Sequence, residues 1–599
     1  WLLKMDFLGL RNLTVIDNAI GEIQRTVDAS FDLSRVPLDD PKTYEMLGRG
    51  ETMGVFQLES EGMKRVCAEL RPSRFEDIIA LVALYRPGPM DWIPQYIANK
   101  HGRSAPQYLH PKLESILAET YGTAVYQEQA MQMAREIAGF SMSDADELRK
   151  VIGKKQKEKI PYYQEKFVAG AMATSGIDRA LAERIFHFIE PFAGYGFNKS
   201  HAAAYGLIAY HTAYLKANHP LHYLAALMSS VGDKTDKLVE YIEDARRLGI
   251  AVLPPDVNES LTDFAVIGEA IRFGLAAVKG IGEGAVASII DSRTRSGPFK
   301  DLFDLAARVD SKQLNRRVFE ALIRSGALDG LAGNRAQQLA ALDTALELAA
   351  RSSREAALGQ TSLFAEEQAQ TAALKPKLPD VPAPSHREML SWERETLGIF
   401  ISGHPLAHIA PALARSGAVP IRDLRSLGDD AAVTIAGAVT AARRTVTKAG
   451  QQLLIAQLED MSGACDVVLF SRAYGEFAQL FDNDAVLVVK GRVRFRERPG
   501  ARTGDEPRVE ISVAAYDVKP FAAPANGGDA ARSWHVEVTD REQIDRLARL
   551  IDEWPGEVPV VLHIQGRSQR VARAIAADAR VRGELERIFA PQGVREDGS

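Results

Sequence analysis

The most informative part of this sequence is the stretch Gly194-Tyr195-Gly196-Phe197-Asn198-Lys199-Ser200-His201. Its two glycines allow the backbone to approach a ligand closely, and its last four residues offer consecutive polar groups to phosphate, sugar or base. The alanine-rich segment that follows predicts a helix, whose N-terminus adds positive potential. A turn with a serine N-cap and a hydrogen-bonded histidine explains the same pattern, so both interpretations stay open.

A second basic segment lies upstream, between residues 149 and 159, where six basic residues stand against one acid, Glu158. A glycine interrupts the segment just before two lysines. Such a run can grip a triphosphate or a DNA backbone through charge and hydrogen-bond donors. A solvated helix face is the alternative interpretation. The candidate ligand-binding residues here are Arg149, Lys150, Lys154 and Lys155.

A single carboxylate, Asp6, sits among apolar neighbours near the start of the chain. On a strand, Lys4 and Asp6 would share one face. A buried carboxylate is costly unless it is paired or binds a metal. Phosphoryl transfer through two metal ions about 4 Å apart needs several carboxylates, so Asp6 alone is insufficient. Pairing with Lys4, or capping of the next helix, is the plainer interpretation.

Length and composition describe an ordinary folded protein of several domains. The chain has 599 residues, which corresponds to about four domains of about 150 residues. Its net charge is −6, from 73 basic and 79 acidic residues, and local basic patches can still bind nucleic acid. Two distant cysteines predict neither a disulfide framework nor a cysteine zinc site, as in a reducing cytoplasm. No apolar run approaches the length of about 18 residues that a membrane span needs.

The pattern along the chain predicts a multidomain protein that is mainly α-helical in its N-terminal two thirds. Residues 275–286 read as a helix, a glycine hairpin and a second helix, and residues 351–386 as a flexible segment. From residue 433 the hydrophobic period changes to two, which predicts a small β-barrel. The tail, residues 534–589, predicts a small α/β domain. Because the chain opens abruptly at Trp1, we expect it to be the C-terminal part of a longer protein.

Further binding residues are predicted in these later segments. The glycine hairpin offers backbone N–H groups to phosphates without reading sequence, although such a turn is often merely tight. Leu363 and Phe364 are large apolar residues in a polar segment, which is typical of a partner site. The predicted barrel contains basic residues and Phe495, and their contact with a nucleic-acid strand is implied by the family resemblance given next. The residues concerned are Lys279, Gly280, Ile281, Gly282 and Gly284 in the hairpin, and Arg443, Arg444, Lys448, Arg492, Arg494 and Arg496 in the barrel.

Six segments in one order resemble the alpha subunits of bacterial DNA polymerase III, the replicative family C polymerases. The segments are KMDFLGLRNLT, VFQLESEGMK, ALVALYRPGP, YQEQAMQMA, FAGYGFNKSHAAAY and LGIFISGHPL. The resemblance implies the following division: residues 1–11 end the palm, 12–232 form the fingers, 233–350 form a helix-hairpin-helix domain that binds DNA and clamp, 351–386 carry a clamp motif, 387–430 form a connector, 431–520 form an OB-fold, and 534–590 resemble the domain that binds the clamp-loader tau subunit.

The resemblance also implies roles in template-directed addition of deoxynucleotides to a primer 3′-hydroxyl. In the family, three palm aspartates hold two Mg²⁺ ions, and the third of them matches Asp6. The other two form an upstream Asp-x-Asp pair, which we expect to lie outside this chain. The chain alone is then expected to be inactive. A non-catalytic module that binds DNA and clamp is the alternative function.

Nucleotide contacts implied by the resemblance come from Lys4, Arg149, Lys150, Lys154, Lys155, Asn198, Lys199, Ser200, His201 and Tyr205. The clamp motif corresponds to Gln360, Leu363 and Phe364, which would bind the sliding clamp (beta). The implied partners are primer-template DNA, single-stranded template, deoxynucleoside triphosphates, the clamp, the clamp-loader tau subunit and, through the missing N-terminal region, a proofreading exonuclease subunit. The implied location is the bacterial cytoplasm, at the nucleoid, without a membrane partner.

Overall fold

The structure is a computed structural model, in which two compact units divide the chain at Ser402 and Gly403. The residues that it describes are 9–232, 235–357, 377–403, 406, 409–446, 450–482, 485–498, 508–521, 533–538, 540–564, 567–575, 579–589 and 594–597.

The first unit is mainly helical, as the sequence predicts. Its helices and strands are α1 (Arg11–Thr26), α2 (Pro41–Gly48), α3 (Glu61–Leu70), α4 (Phe75–Leu84), α5 (Ile93–Lys100), α6 (Glu114–Leu117), α7 (Gln127–Ala138), α8 (Met142–Gly153), α9 (Ile160–Ser175), α10 (Arg179–Tyr195), α11 (Lys199–Asn218), α12 (Pro220–Ser230), α13 (Thr235–Arg247), β1 (Ala251–Leu253), β2 (Ala265–Ile267), β3 (Ala270–Arg272), α14 (Glu283–Ser296), α15 (Leu302–Arg308), α16 (Arg316–Arg324), α17 (Arg335–Ala357) and α18 (His386–Leu397).

Helix α4 forms the centre of one hydrophobic core. Every residue from Asp77 to Leu84 is buried, which follows from the continuous apolar run there. Helix α11 packs on α4 and α2 and contributes Tyr210 to the same core. The chain then turns at Gly88, where φ is +98°, a conformation that glycine adopts without a Cβ penalty. The segment Arg86-Pro87-Gly88-Pro89 therefore ends the apolar run of α4 with a turn.

A second core holds helices α7 to α10 together. Met133, Phe167 and Phe186 are fully buried at its centre. Ser141 caps α8 by accepting a hydrogen bond from the Asp144 N–H, and Gly139 ends α7 with a left-handed φ of +67°. These local signals, a serine N-cap and a C-terminal glycine, separate two helices that pack side by side.

The remainder of the first unit contains a small three-stranded sheet, in the order β1-β3-β2, and helices α14 to α18. The predicted flexible segment, residues 351–386, differs from the structure at both ends. Helix α17 continues to Ala357, and the Val381 carbonyl accepts a hydrogen bond from Asn334. The buried carboxylate of Glu393 lies 3.5 Å from the Arg335 guanidinium, so α18 packs with the first unit. Residues 358–376 lie outside the described residues.

The second unit contains the predicted β-barrel. Strands β4 (Ala432–Val446), β5 (Gln452–Asp460), β6 (Gly463–Phe470), β7 (Val486–Arg498) and β8 (Arg508–Pro520) close in the order β4-β5-β6-β8-β7. Alternate residues point inward, and Ile435, Leu454, Val467, Val489 and Val513 form the barrel core. Short helices α19 (Ala410–Arg415) and α20 (Ser471–Phe477) accompany the barrel. This five-stranded closed barrel confirms the predicted OB-type fold class.

The last domain is the predicted small α/β domain. Its elements are β9 (Ser533–Glu537), α21 (Arg541–Glu553), β10 (Pro555–Ile564), β11 (Arg567–Ile575), α22 (Ala579–Phe589) and β12 (Val594–Asp597). The sheet order is β11-β10-β9-β12, and β9 and β10 run parallel because α21 crosses between them. Across the described part of the chain, no helix combines the length and apolarity required to cross a membrane.

Candidate nucleotide-binding site and DNA interfaces

The N-termini of α7 and α11 meet at the stretch from Gly194 to His201. Phe197 forms a parallel bridge with Tyr126: its N–H donates to the Val125 carbonyl, and its carbonyl accepts from the Gln127 N–H. The starts of α7 and α11 therefore lie side by side. Both contribute positive potential to one surface region, which favours anions. Helix α10 runs through Gly194 and Tyr195, so the loop is shorter than the sequence suggested.

Asn198 and Lys199 are held firmly in this region. The Asn198 side chain caps α11 by accepting from the His201 N–H at 2.8 Å, and its amide donates to Glu128 at 2.9 Å. The Lys199 N–H donates to the other Glu128 oxygen at 3.0 Å, and the Lys199 ammonium lies 2.7 Å from Glu119. The predicted serine N-cap is wrong, because Asn198 takes that position, and Ser200 is an exposed residue of the first turn.

The second basic segment reaches the same region through Arg149. Its guanidinium donates to the Gln127 side chain at 3.2 Å and to Asp146. Lys150 also pairs with Asp146, which keeps the pKa of that carboxyl below its usual range. Lys154 ends α8, and Lys155 has a left-handed φ of +51°. A non-glycine residue in that conformation is strained, and such strain is frequent at functional sites.

Aromatic rings form a continuous row along the start of α11. His201 and Tyr205 stack with centroids 4.4 Å apart, one helical turn from each other as predicted. Phe197 packs edge-on against His201, and Phe56 lies 5.5 Å from Tyr205. The Arg86 guanidinium covers Phe197 at 4.5 Å. His201 is exposed, so its ring is open to a base or a sugar.

The far end of this row borders a cavity of about 340 Å³. Its walls mix charged, polar and apolar side chains, among them Arg11, Phe56, Gln57, Lys237 and Tyr241. Burial raises the pKa of the Tyr241 phenol above its usual value, so the hydroxyl stays protonated. Sequence reasoning missed this cavity, because its walls come from four separate stretches.

Sequence reasoning also missed the acidic side of the site. Glu119 and Glu128 accept from Lys199 or Asn198, yet neither stands near them in sequence. The segment YQEQAMQMA contained a signal, since Gln127 and Glu128 start the helix whose N-terminus meets α11. Arg86 likewise lies within the segment ALVALYRPGP, and the sequence did not indicate its contact with Phe197. These contacts depend on tertiary packing and have no local pattern.

Several predicted residues lie outside the described residues: Lys4, Asp6, Gln360, Leu363, Phe364 and Lys448. Within the described ranges, no three or more His, Cys, Asp or Glu side chains converge on a possible metal position. Asp144 and Asp146 have the spacing Asp-x-Asp, but on α8 they pair with Lys166 and with Arg149 and Lys150. The residues that are described therefore do not fit a two-Mg²⁺ site by themselves.

The glycine hairpin is a tight turn at the start of α14. A single 3-10 turn, Leu275–Ala277, precedes it where the sequence suggested a full helix. Gly280 has a φ of +90°, and Gly282 begins α14 without a side-chain cap. Lys279, Gly280, Gly282 and Gly284 are exposed, and a Cβ at Gly284 would collide with Gln313. Ile281 is only 8% exposed, so its side chain anchors the hairpin, and the DNA contact predicted for it stays a prediction for its backbone.

The described barrel residues predicted to contact DNA lie on two different strands, β4 and β7. Arg492 and Arg494 are on β7, and both pair with Asp430. Phe495 is partly buried and packs against the barrel core, so its predicted stacking on a nucleic-acid base stays a prediction. Arg443 and Arg444 are exposed on β4, and Arg444 donates to the Ala478 carbonyl.

A different aromatic residue faces outward on the barrel. Phe470, at the end of β6, is 50% exposed and pairs across the sheet with Leu453 of β5. Tyr516 of β8 is 55% exposed. Strands β6 and β8 are adjacent and parallel, and Asp466 of β6 pairs with Ser512 of β8. Phe470 comes four residues after Asp466, and Tyr516 comes four residues after Ser512. Arg443 pairs with Ile455, which puts a cation on the same outer sheet surface.

Three protein-family models match separate parts of the chain. Residues 12–175 match the bacterial DNA polymerase III alpha subunit finger domain. Residues 249–338 match a helix-hairpin-helix motif, and residues 433–521 match an OB-fold nucleic acid binding domain.

Curated relatives match nearly the whole chain. The DNA polymerase III subunit alpha of Thermus aquaticus is 43% identical over 582 residues, which cover 94% of this chain and 45% of the relative. The corresponding subunits of Escherichia coli K12 and Mycobacterium tuberculosis are 38% and 42% identical and cover 97% and 98% of this chain. The chain spans about half the length of these relatives. A small single-stranded DNA-binding protein from Streptomyces coelicolor aligns with 16% of the chain at 13% identity and a TM-score of 0.12, which supports no argument.

Proposed function

Because this chain is homologous over most of its length to bacterial DNA polymerase III alpha subunits, we propose that it supplies the nucleotide-binding fingers and the DNA-holding parts of a template-directed DNA polymerase. The observation that carries the proposal is the convergence of Arg149, Asn198, Lys199 and His201 at two adjoining helix N-termini. A deoxynucleoside triphosphate is the substrate class that such an arrangement suits, because it combines phosphates with a sugar and a base.

In the proposed reaction these residues act by position and charge. Lys199 and Arg149 neutralise the phosphates of the incoming nucleotide and stabilise the negative charge that develops on departing pyrophosphate. Fixed donors in a partly dry site act more strongly than mobile ones in water. The stacked rings of His201 and Tyr205 give the sugar or base a flat surface to pack on. Template pairing and pocket shape then select the base.

Catalysis in this proposal needs groups beyond the described residues. Two Mg²⁺ ions are the proposed cofactor, with Asp6 as one ligand and the remaining carboxylates supplied from outside this chain. The coverage of about half of each relative supports that expectation. We assign residues 1–11 to the palm and residues 12–232 to the fingers on the same grounds.

DNA handling is proposed for the later segments. The uncapped start of α14 and the exposed Lys279 suit backbone phosphates of a duplex held behind the active site, within residues 233–350. The barrel, residues 431–520, suits single-stranded template, with Phe470 and Tyr516 as stacking residues. Gln360, Leu363 and Phe364 are proposed to bind the sliding clamp. Residues 534–590 are proposed to bind the clamp-loader tau subunit, in the cytoplasm of a bacterium.

A non-catalytic module that holds DNA and clamp is the second candidate function. It is favoured by the lack of a carboxylate cluster within the described ranges. The convergence of cations and aromatic rings at α11 has no purpose in a simple tether, which favours the polymerase.

Nucleotide binding by this chain separates the two candidates. The polymerase proposal predicts that the chain binds dATP in an equilibrium titration and that Lys199→Ala weakens binding. A tether predicts no binding. In the full-length polymerase, Asp6→Asn should abolish primer extension and leave primer-template affinity unchanged. Normal extension by that variant would show that the metal assignment of Asp6 is wrong.

A further inference from the structure

The carboxylate of Glu119 forms an ion pair with the Lys199 ammonium, which the proposed reaction needs for binding phosphate. Its Oε2 atom lies 2.7 Å from the Lys199 Nζ, and the two side chains are 35% and 38% exposed. The same ammonium lies 5.5 Å above the centre of the Tyr126 ring. Lys199 therefore points at the turn Ala118–Thr120, and its charge is already paired before any phosphate arrives.

The turn that carries Glu119 is held by hydrogen bonds from two side chains, which places the carboxylate beside Lys199. The Arg74 guanidinium donates to the Glu119 carbonyl at 2.6 Å. The next residue, Thr120, is 1% exposed and receives a hydrogen bond from the buried Gln129 amide at 2.8 Å. The Gln129 carbonyl oxygen in turn accepts from the N–H groups of Val125 and Tyr126. One buried glutamine thus fixes both the turn that carries Glu119 and the start of α7.

Glu128 plays a different part, because its partners are backbone and amide groups. It accepts from the Lys199 N–H and the Asn198 side chain, and these contacts orient the start of α11 without neutralising the ammonium. Among the residues that the structure describes, Glu119 is the carboxylate paired with the Lys199 ammonium, so it competes directly with phosphate for that charge. Partly exposed ion pairs are weak, so a triphosphate can displace the carboxylate at a small cost.

We infer that Glu119 is a positioning residue that holds the Lys199 ammonium until the phosphates of an incoming nucleotide displace it, and so lowers the affinity of the site for phosphate ligands. This inference rests on the proposed function, since it assumes that Lys199 binds nucleotide. Pyrophosphate consists of the two outer phosphates of the incoming nucleotide. The same competition from Glu119 therefore makes it leave the site more readily.

The test measures equilibrium dissociation constants for dATP and for inorganic tripolyphosphate, using the whole chain. Glu119→Gln should tighten both about two- to fivefold, the range that corresponds to a weak surface ion pair. Binding of deoxyadenosine, which has no phosphate, should not change. Glu119→Asp, whose carboxylate is one methylene further from Lys199, should weaken the 2.7 Å contact and act in the same direction, so the test survives if one variant folds poorly.

A double-mutant cycle separates this mechanism from general charge repulsion. In a Lys199→Met background, Glu119→Gln should leave dATP affinity unchanged within a factor of two. The matched control is Glu76→Gln, because Glu76 lies close enough to raise the pKa of Tyr126 but makes no ion pair with Lys199 in the part of the chain described. An equal gain from Glu119→Gln with and without Lys199, or an equal gain from Glu76→Gln, would overturn the inference. If the unmodified chain binds no dATP, the proposed function fails instead.

Discussion

At the scale of single residues, the candidate site depends on a few charges whose neighbours come from distant parts of the sequence. Lys199 was identified from its local pattern, but Glu119, which pairs with it, lies 80 positions away. The sequence indicates which residue types can bind phosphate, since basic and polar side chains next to a helix start are a local signal. It does not indicate their partners, because tertiary packing decides which acid meets which base.

Removing the Lys199 charge should weaken nucleotide binding. A hydrogen bond to a charged group contributes about 1.5–3 kcal/mol, so Lys199→Ala should raise the dissociation constant for dATP about 10- to 100-fold in a fluorescence titration. The control is Lys166→Ala, because Lys166 also forms an ion pair but contacts Asp144. Equal losses from both variants would mean that Lys199 acts only through net charge.

The buried pair of Asp77 and Lys100 should stabilise the first unit. The Lys100 ammonium donates to Asp77, whose side chain is fully buried, and Tyr121 and Ser73 donate to the same carboxylate. Asp77→Ala would leave a buried charge unpaired and should cost about 3–5 kcal/mol. Hydrogen exchange of α4 amides would report the loss. A smaller cost in the double variant with Lys100→Met would show that the unpaired charge is the cause.

The same pair predicts a direction of pH dependence. Burial alone would raise the pKa of Asp77, but hydrogen bonds from Lys100 and Ser73 hold it below its usual value of 3.8. A lowered pKa in the folded state means that the stabilisation is fully present above the unfolded value and is lost as the pH falls through the folded one. Protection of α4 should therefore decline below about pH 4, and less steeply in Asp77→Asn.

At the scale of elements, the predicted assignment of segments to helix or strand was mostly right, but the predicted positions where helices begin and end were not. The helical first part and the five-stranded barrel followed from periods of 3.6 and 2. The loop before α11 was predicted too long, because α10 continues through Gly194 to Tyr195. In the barrel, the alternation of apolar and polar residues predicted which side chains of a strand point into the core. It did not predict which part of the outer surface is exposed to a ligand. Phe495, which was predicted to stack, is partly buried, whereas Phe470, which was not named, is 50% exposed.

The outer surface of β6 and β8 should bind single-stranded DNA by stacking. Each base that stacks on an aromatic ring contributes about 1–3 kcal/mol, so Phe470→Ala combined with Tyr516→Ala should weaken oligonucleotide binding at least tenfold. Met461→Ala, at a residue of similar exposure (50%), is the matched control because it removes apolar surface without a ring. Unchanged anisotropy titrations would exclude this surface.

The hairpin before α14 should contact DNA phosphates. Primer-template affinity should fall as salt rises, because phosphate contacts release counterions. Lys279→Ala should reduce the slope of log affinity against log salt by about one, whereas Lys300→Ala, an exposed lysine after the hairpin helix, should not. A flat salt response in the unmodified chain would contradict both the hairpin and the basic fingers as DNA contacts.

At the scale of the whole molecule, the order of segments carried more information than any one of them. No single motif distinguishes a polymerase from a tether, but six segments in one order predicted the family that the relatives then showed over 94–98% of the chain. The order does not reveal which partners assemble on the chain. The residues proposed to bind the clamp, Leu363 and Phe364, lie outside the described ranges.

Clamp-dependent synthesis tests the partner proposal. In the full-length polymerase, Leu363→Ala combined with Phe364→Ala should abolish long processive products, because two apolar side chains would no longer fill a groove on the clamp. Short extension without clamp should continue at its normal rate. Unchanged clamp affinity in a surface-plasmon titration would rule the motif out.

The most direct test of the central claim is primer extension by this chain alone, with Mg²⁺ and all four deoxynucleotides, beside a titration of dATP and primer-template. The account predicts clear binding of both ligands and no extension, because the proposed function assigns the fingers and DNA-holding parts to this chain and takes carboxylates other than Asp6 from outside it. Robust extension would contradict the account, since it would require a complete catalytic centre within these 599 residues.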